Sequence, residues 1–129
     1  MQGNTGFQKD LVTERIIGAA LVVHKALGPG LLESAYEACL ARELFASGVR
    51  VARQVEVPIV YRGMRVDLAY RADLVVEDTV IVEVKAVNRV EPIVEAQLLT
   101  YLKLLGFRRG LICNFNVTLL RDGLRRLVV

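Results

Sequence analysis

The chain has no tryptophan, one histidine, two cysteines and three prolines among its 129 residues. Two cysteines, Cys39 and Cys113, each set among apolar neighbours, exclude a disulfide framework or a cysteine-based zinc site and read as small core residues. The single histidine, His24, stands on an apolar helix with no partner at metal-ligand spacing, and reads as a satisfied structural residue. No apolar run is long enough for a membrane, since the longest, IIGAALVV at 16–23, falls far short of the ~20 residues a spanning helix needs. The opening MQGNTG has no basic start of a secretory signal, so the expected location is the cytoplasm, with no membrane as partner. Internal repeats and low-complexity tracts are absent too, and the length suits one domain over 1–129.

What the chain has in excess is apolar. Hydrophobic residues make up 53% and charged residues 24%, with a mean hydropathy of +0.40. That excess points to apolar surface covered by a partner chain, with a homodimer as the simplest form. The formal net charge is +3 and the pI is near 9.1. The basic excess falls late, in Arg108, Arg109, Arg121, Arg125 and Arg126, a bias that suits a polyanion without requiring one.

Residues 10–28 place Ile16, Ala20, Val23 and Leu27 at helical spacing before Gly28-Pro29-Gly30 stops the helix. LLESAYEACLARELFASG then carries Leu32, Ala35, Tyr36, Cys39, Leu40 and Leu44 along one stripe to Gly48, so the two helices are expected as a hairpin. From Val51 to Val87 the period is two and β-branched residues dominate, which predicts strands near 52–61, 64–76 and 79–87. A helix over 91–106 follows, with Pro92 in its first turn and Gly106 at its end. A buried strand at 111–115, a turn over 114–120 and a strand near 124–128 complete the chain. The expected order is ααβββαβ with a small β tail, an α/β domain whose helices cover a central mixed sheet.

The stretch DLVVEDTVIVEVKA, residues 73–86, raises a chemical question, because Glu83 and Lys85 interrupt a strand otherwise made of Val80, Ile81, Val82 and Val84. Pairing Val76 with Val80 sets Leu74 opposite Val82 and Ala72 opposite Val84 on one apolar face. On the other face Asp73 meets Glu83, Arg71 meets Lys85 and Val75 meets Ile81. That register needs an odd-length connection centred on Asp78, a residue type that tolerates the left-handed conformation. Opposed carboxylates ~5 Å apart repel unless a cation lies between them. A divalent ion can take an oxygen from each, with waters and a substrate phosphate completing its shell. Lys85, ~6.6 Å along the same side of the strand from Glu83, can reach the attacked phosphate or the attacking water. The competing reading is a surface salt-bridge ladder of Arg71, Glu83, Asp73 and Lys85, worth ~0–1 kcal/mol per pair. Val75 and Ile81 on that face argue against a plainly solvated surface.

The pattern Asp73…Glu83-Val84-Lys85, on a hairpin flanked by helices, resembles the PD-(D/E)XK nuclease superfamily. Ala72 stands where the eponymous proline would be, a mild departure, since the aspartate does the chemistry. Gly30, Glu33 and Tyr36 match the GxxExxY motif that names a small family within it, and Gln97 and Tyr101 match the QxxxY motif of its RecB-like branch. The resemblance runs through nearly the whole chain, including the GPGLLESAYE and FNV stretches.

That resemblance implies a restriction-endonuclease-like fold, and hydrolysis of phosphodiester bonds in nucleic acid, first of all DNA, with Mg²⁺ or Mn²⁺ as cofactor. It implies that Asp73, Glu83 and the backbone carbonyl of Val84 hold the catalytic metal and that Glu33 supports a second ion. Lys85 would position or deprotonate the attacking water, while Gln97 and Tyr101 would orient the phosphate and its water. Each motif also has a plain physical reading. Glu33 fits as an acid in the first turn of a helix, Tyr36 as packing, and Gln97 with Tyr101 as polar groups four apart on one core-facing stripe. Two rival functions stand beside the nuclease: a nucleic-acid-binding module of the same fold that does not cleave, and an interaction or dimerisation domain that binds no metal.

Overall fold

A computed structural model describes residues 10–66 and 70–129. Helix α1 (Leu11–Leu27) begins where the Asp10 carboxylate accepts the Thr13 N–H, and ends at Gly28, whose left-handed φ of 68° lets its N–H return to the His24 carbonyl. Helix α2 (Glu33–Ala46) follows, and the two pack as the expected hairpin, burying Ile16, Ala20, Val23, Tyr36, Leu40 and Leu44. Leu27 and Leu32 depart from the expected stripes. They are 41% and 78% exposed, because one closes the last turn of α1 and the other precedes α2 as its N-cap.

The expected first strand breaks in two. Strands β1 (Val51–Glu56) and β2 (Ile59–Tyr61) part at Val57-Pro58, where proline has no N–H to give a ladder. The expected strand over 64–76 likewise divides into β3 (Met64–Val66) and β4 (Arg71–Val76), with 67–69 outside the described residues. Among the described residues β2 and β3 pair only with each other, around an Arg62-Gly63 turn in which both residues have positive φ, and so form a separate two-stranded arm. Then come β5 (Val80–Lys85), α3 (Pro92–Leu105), β6 (Arg109–Asn114), a 3₁₀ turn over Leu120–Gly123, and β7 (Leu124–Val128).

The main sheet has five strands in the order β1-β4-β5-β6-β7. β5 and β6 run parallel and the other neighbours antiparallel, with α3 as the crossover that a parallel pair requires. Strand alternation then splits the core. Leu74, Val76, Val80, Val82, Leu111 and Cys113 pack under α1 and α2, whereas Val75, Ile81 and Ile112 pack under Leu98, Tyr101 and Leu102 of α3. Each fully buried aliphatic side chain contributes about 1.5–3 kcal/mol of transfer free energy, so a sheet covered on both faces is firmly held. α3 lies close on β6 because residue 110 is glycine: a Cβ there would stand 2.9 Å from the Leu98 side chain. Both cysteines are free, as expected, and burial pushes the Cys113 thiol up to about 12, which makes it inert core.

Candidate active site

The β4–β5 ladder pairs Val76 with Val80, Val75 with Ile81 and Leu74 with Val82, the register expected from the sequence. Its connection contains Glu77 and Asp78, both left-handed at φ 52° and 53°. Beyond Leu74 and Val82 the ladder stops. The Asp73 N–H donates to Glu83 Oε2 at 3.0 Å, and the Val84 N–H donates to Asp73 Oδ2 at 2.8 Å. Each carboxylate therefore stands in for a carbonyl of the opposite strand and is fixed in the gap between β4 and β5. The expected pairing of Ala72 with Val84 does not form: Ala72 packs in the cluster under α3 and Val84 in the cluster under α1 and α2. The β1–β4 ladder has a matching break, since it pairs Arg53 with Leu74 and Val55 with Ala72 but passes over Gln54 and Asp73.

The trapped carboxylates are electrostatically uncomfortable. Glu83 is 3% exposed, and burial first, then the charge of Asp73, pushes its pKa up to about 8. Burial also raises that of half-buried Asp73, against the opposing hydrogen bond from Val84. The nearby Lys85 ammonium lowers both, although it forms no ion pair among the described residues. Arg71 instead donates to the Gln54 carbonyl at 3.4 Å, and the surface ladder of four charges is not formed.

Three further elements converge here. Tyr101 on α3 is buried, and its phenol is pushed up by burial first and then by the nearby charge of Glu83, with Tyr70 and Asp73 adding to it. Tyr70 meets its ring edge-on at 6.5 Å. Gln97, one turn earlier and half-buried, makes no hydrogen bond to the carboxylates among the described residues. From α2, Glu33 Oε2 accepts the Ala86 N–H at 3.2 Å, just past Lys85. The buried Asn114 carboxamide bonds both the N–H and the carbonyl of Val87, at 3.0 and 2.9 Å, and so anchors the chain leaving β5.

Other expected residues have structural work. The Tyr36 hydroxyl donates to the Gly28 carbonyl at 2.5 Å and accepts the Leu31 N–H, while its ring stacks on Phe115 at 4.5 Å, so it ties the α1–α2 turn to the end of β6. His24 Nε2 lies 2.8 Å from the Val117 carbonyl, a satisfied structural histidine as expected. The late arginines are largely engaged within the chain. Arg109 pairs with Asp10, Arg125 with Glu95 and Arg126 with Glu14, and Arg108 donates to the Val129 carbonyl.

Two residues at the site escape sequence reasoning. Gln54 Nε2 donates to Asp73 Oδ1 at 3.3 Å and to Glu37 Oε1 at 2.9 Å. Glu37, itself 7% exposed, pairs with Arg53 at 3.2 Å. The available signal was Glu37's place one residue after Tyr36 and four after Glu33, a carboxylate on the stripe that packs inward.

Among the described residues no group of three or more His, Cys, Asp or Glu side chains is arranged to hold a metal, so Glu33 does not complete a three-carboxylate cluster with Asp73 and Glu83. The pair itself fits a hard divalent cation. It offers oxygen donors, and a cation between them would offset the burial and like-charge repulsion that raise both pKa values. A family model described as the PD-(D/E)XK nuclease superfamily matches residues 10–127. The chain belongs to that superfamily. Its mixed five-stranded sheet flanked by helices agrees with a restriction-endonuclease-like fold, and PD-(D/E)XK nucleases typically use divalent metals and act on nucleic acid. No curated protein and no solved structure shows a significant match to the chain. Among the described residues no helix is long and apolar enough to cross a membrane.

Proposed function

We propose that this PD-(D/E)XK domain is a divalent-metal-dependent nuclease that hydrolyses phosphodiester bonds in nucleic acid, with DNA as the expected substrate. One observation carries the reading: Asp73 and Glu83 are held in the opening between β4 and β5 by backbone N–H groups of the opposite strand, with the charge of Lys85 nearby. The GxxExxY residues Gly30, Glu33 and Tyr36, and the QxxxY residues Gln97 and Tyr101, favour the GxxExxY group and the RecB-like branch.

Mg²⁺ or Mn²⁺ would be held by Asp73, Glu83 and the carbonyl of Val84, with Glu33 toward a second ion's waters, and when bound it supplies Lewis-acid charge at the scissile phosphate. The chain's own groups do the rest. Asp73 and Glu83 are fixed before substrate arrives, so little reorganisation is needed during the reaction. Lys85 positions the attacking water, or takes its proton, and offsets charge that builds on the phosphate. The raised pKa of Tyr101 keeps its phenol protonated at neutral pH, an O–H donor for a phosphate oxygen or the water, with Gln97 beside it on α3. A P–O bond breaks as the water oxygen bonds to phosphorus, and no covalent enzyme intermediate is required. The expected setting is the cytoplasm, and exposed Leu21, Val22, Leu31 and Phe45 supply apolar surface for a homodimer.

The test is cleavage of single-stranded, double-stranded and branched DNA and of RNA with Mn²⁺ and Mg²⁺. At least one substrate is expected to be cut, with Lys85→Ala lowering kcat about 10²–10⁴-fold while leaving Mn²⁺ affinity nearly intact. Binding with a steep salt dependence and no cleavage would establish the non-cleaving module instead. Neither binding nor cleavage would leave the interaction domain.

A further inference from the structure

Gln54 lies inside β1 yet has a φ of 53°, a left-handed conformation that residues with a Cβ rarely keep unless their surroundings enforce it. The distortion falls where β1 passes over Asp73, between the Arg53–Leu74 and Val55–Ala72 pairs. It brings the side chain across to the neighbouring strand, where Nε2 meets Asp73 Oδ1 at 3.3 Å and Glu37 Oε1 at 2.9 Å. Both partners are carboxylate oxygens, which only accept, so the NH₂ end of the amide must face them and has one hydrogen for each. Glu37 is itself fixed, since its Oε2 takes the Arg53 Nε–H at 3.2 Å. The other oxygen of Asp73, Oδ2, takes the Val84 N–H at 2.8 Å. Asp73 is thus gripped from both sides, one oxygen from β1 and one from β5, and the amide separates its charge from that of Glu37.

We propose that Gln54, oriented by Glu37, is a positioning residue for Asp73: it sets the rotation of the metal-binding carboxylate, and the left-handed backbone of β1 is retained to aim it. This rests on the nuclease reading of Asp73. Neither Gln54 nor Glu37 belongs to the motifs that mark the site, and neither touches the reacting atoms. They act through Asp73.

The test uses the full chain and Mn²⁺ itself as probe, comparing wild type with Gln54→Gly, Glu37→Gln and Glu37→Ala by calorimetric titration and by thermal melting without metal. Glycine suits φ 53° but removes the amide. Gln54→Gly is therefore expected to melt at or above the wild-type temperature, yet to bind Mn²⁺ about 10- to 100-fold more weakly, with loss of cleavage falling in kcat rather than KM. Glu37→Gln keeps an oxygen to accept from Gln54 but loses the second acceptor that holds Arg53, so it should fall part of the way, whereas Glu37→Ala should fall with Gln54→Gly. Wild-type Mn²⁺ affinity in Gln54→Gly, with wild type itself binding, would overturn the positioning role and leave the nuclease reading standing. A Gln54→Gly that melts lower or fails to fold would assign the residue to the fold, and wild-type affinity in Glu37→Ala would overturn the orienting role of Glu37. A wild-type chain that binds no Mn²⁺ would bring down the nuclease reading and this proposal together.

Discussion

The two ends of the β4–β5 hairpin are built from one pair of strands and obey opposite rules. At the turn end, Val75, Val76, Val80 and Ile81 form a complete ladder buried on both faces. At the other end, one residue pair beyond Leu74 and Val82, the ladder opens and two carboxylates occupy the gap. The closed end is stabilised by burial, whereas the open end is destabilised by like-charge repulsion and desolvation. The rigid end holds the strands at fixed separation, and the open end uses that separation to keep Asp73 and Glu83 where water alone would not.

The contrast breaks most visibly with pH. Glu83 has a folded pKa of about 8 against an ordinary 4.5, so the folded metal-free chain keeps a proton there that the unfolded chain has lost. Its contribution to stability is therefore full below about 4.5 and is lost as pH rises through about 8, with a slope approaching about 1.4 kcal/mol per pH unit between them. Denaturant titrations from pH 5 to 8 are expected to show that fall in wild type and a much flatter line in Glu83→Gln, which keeps an acceptor for the Asp73 N–H without the charge. The closed end should respond to volume instead. Ile81 is fully buried, and Ile81→Val is expected to cost about 0.5–1.5 kcal/mol at every pH. Smallest is the turn: Asp78, left-handed at φ 53° and in an exposed pair with Arg50, should gain less than about 1 kcal/mol on Asp78→Gly, read from the same unfolding curves.

Much of this was legible in the sequence because it depends on periodicity. Helices, the Val76–Val80 register and the odd turn follow from which residues must share a buried face. Asp73, Glu83 and Lys85 come from reading what interrupts that pattern. The break at Pro58 is masked in the sequence because the β-branched residues on either side continue the alternation, and the separate β2–β3 arm is masked with it. The opening of the ladder was hidden for a different reason. It arises from carboxylates replacing backbone partners, and from a left-handed Gln54, neither of which leaves a mark on hydrophobic spacing. Glu37 has only a weak signal, a carboxylate beside the inward stripe of α2, and its burial depends on β1 and Arg53, which cover it from a distant part of the chain.

The most direct test of the open end is the melting temperature of wild type and of the Asp73→Asn/Glu83→Gln double variant across millimolar Mn²⁺ and Mg²⁺. A cation bound only by the folded chain adds about 2.7 kcal/mol at a hundredfold excess over Kd, or roughly 10 °C for a chain of this size. Wild type is expected to rise by that order, while the double variant starts higher without metal and stays flat. An unchanged wild-type melting temperature with both ions, or an equal rise in the double variant, would contradict a carboxylate pair built to hold a cation.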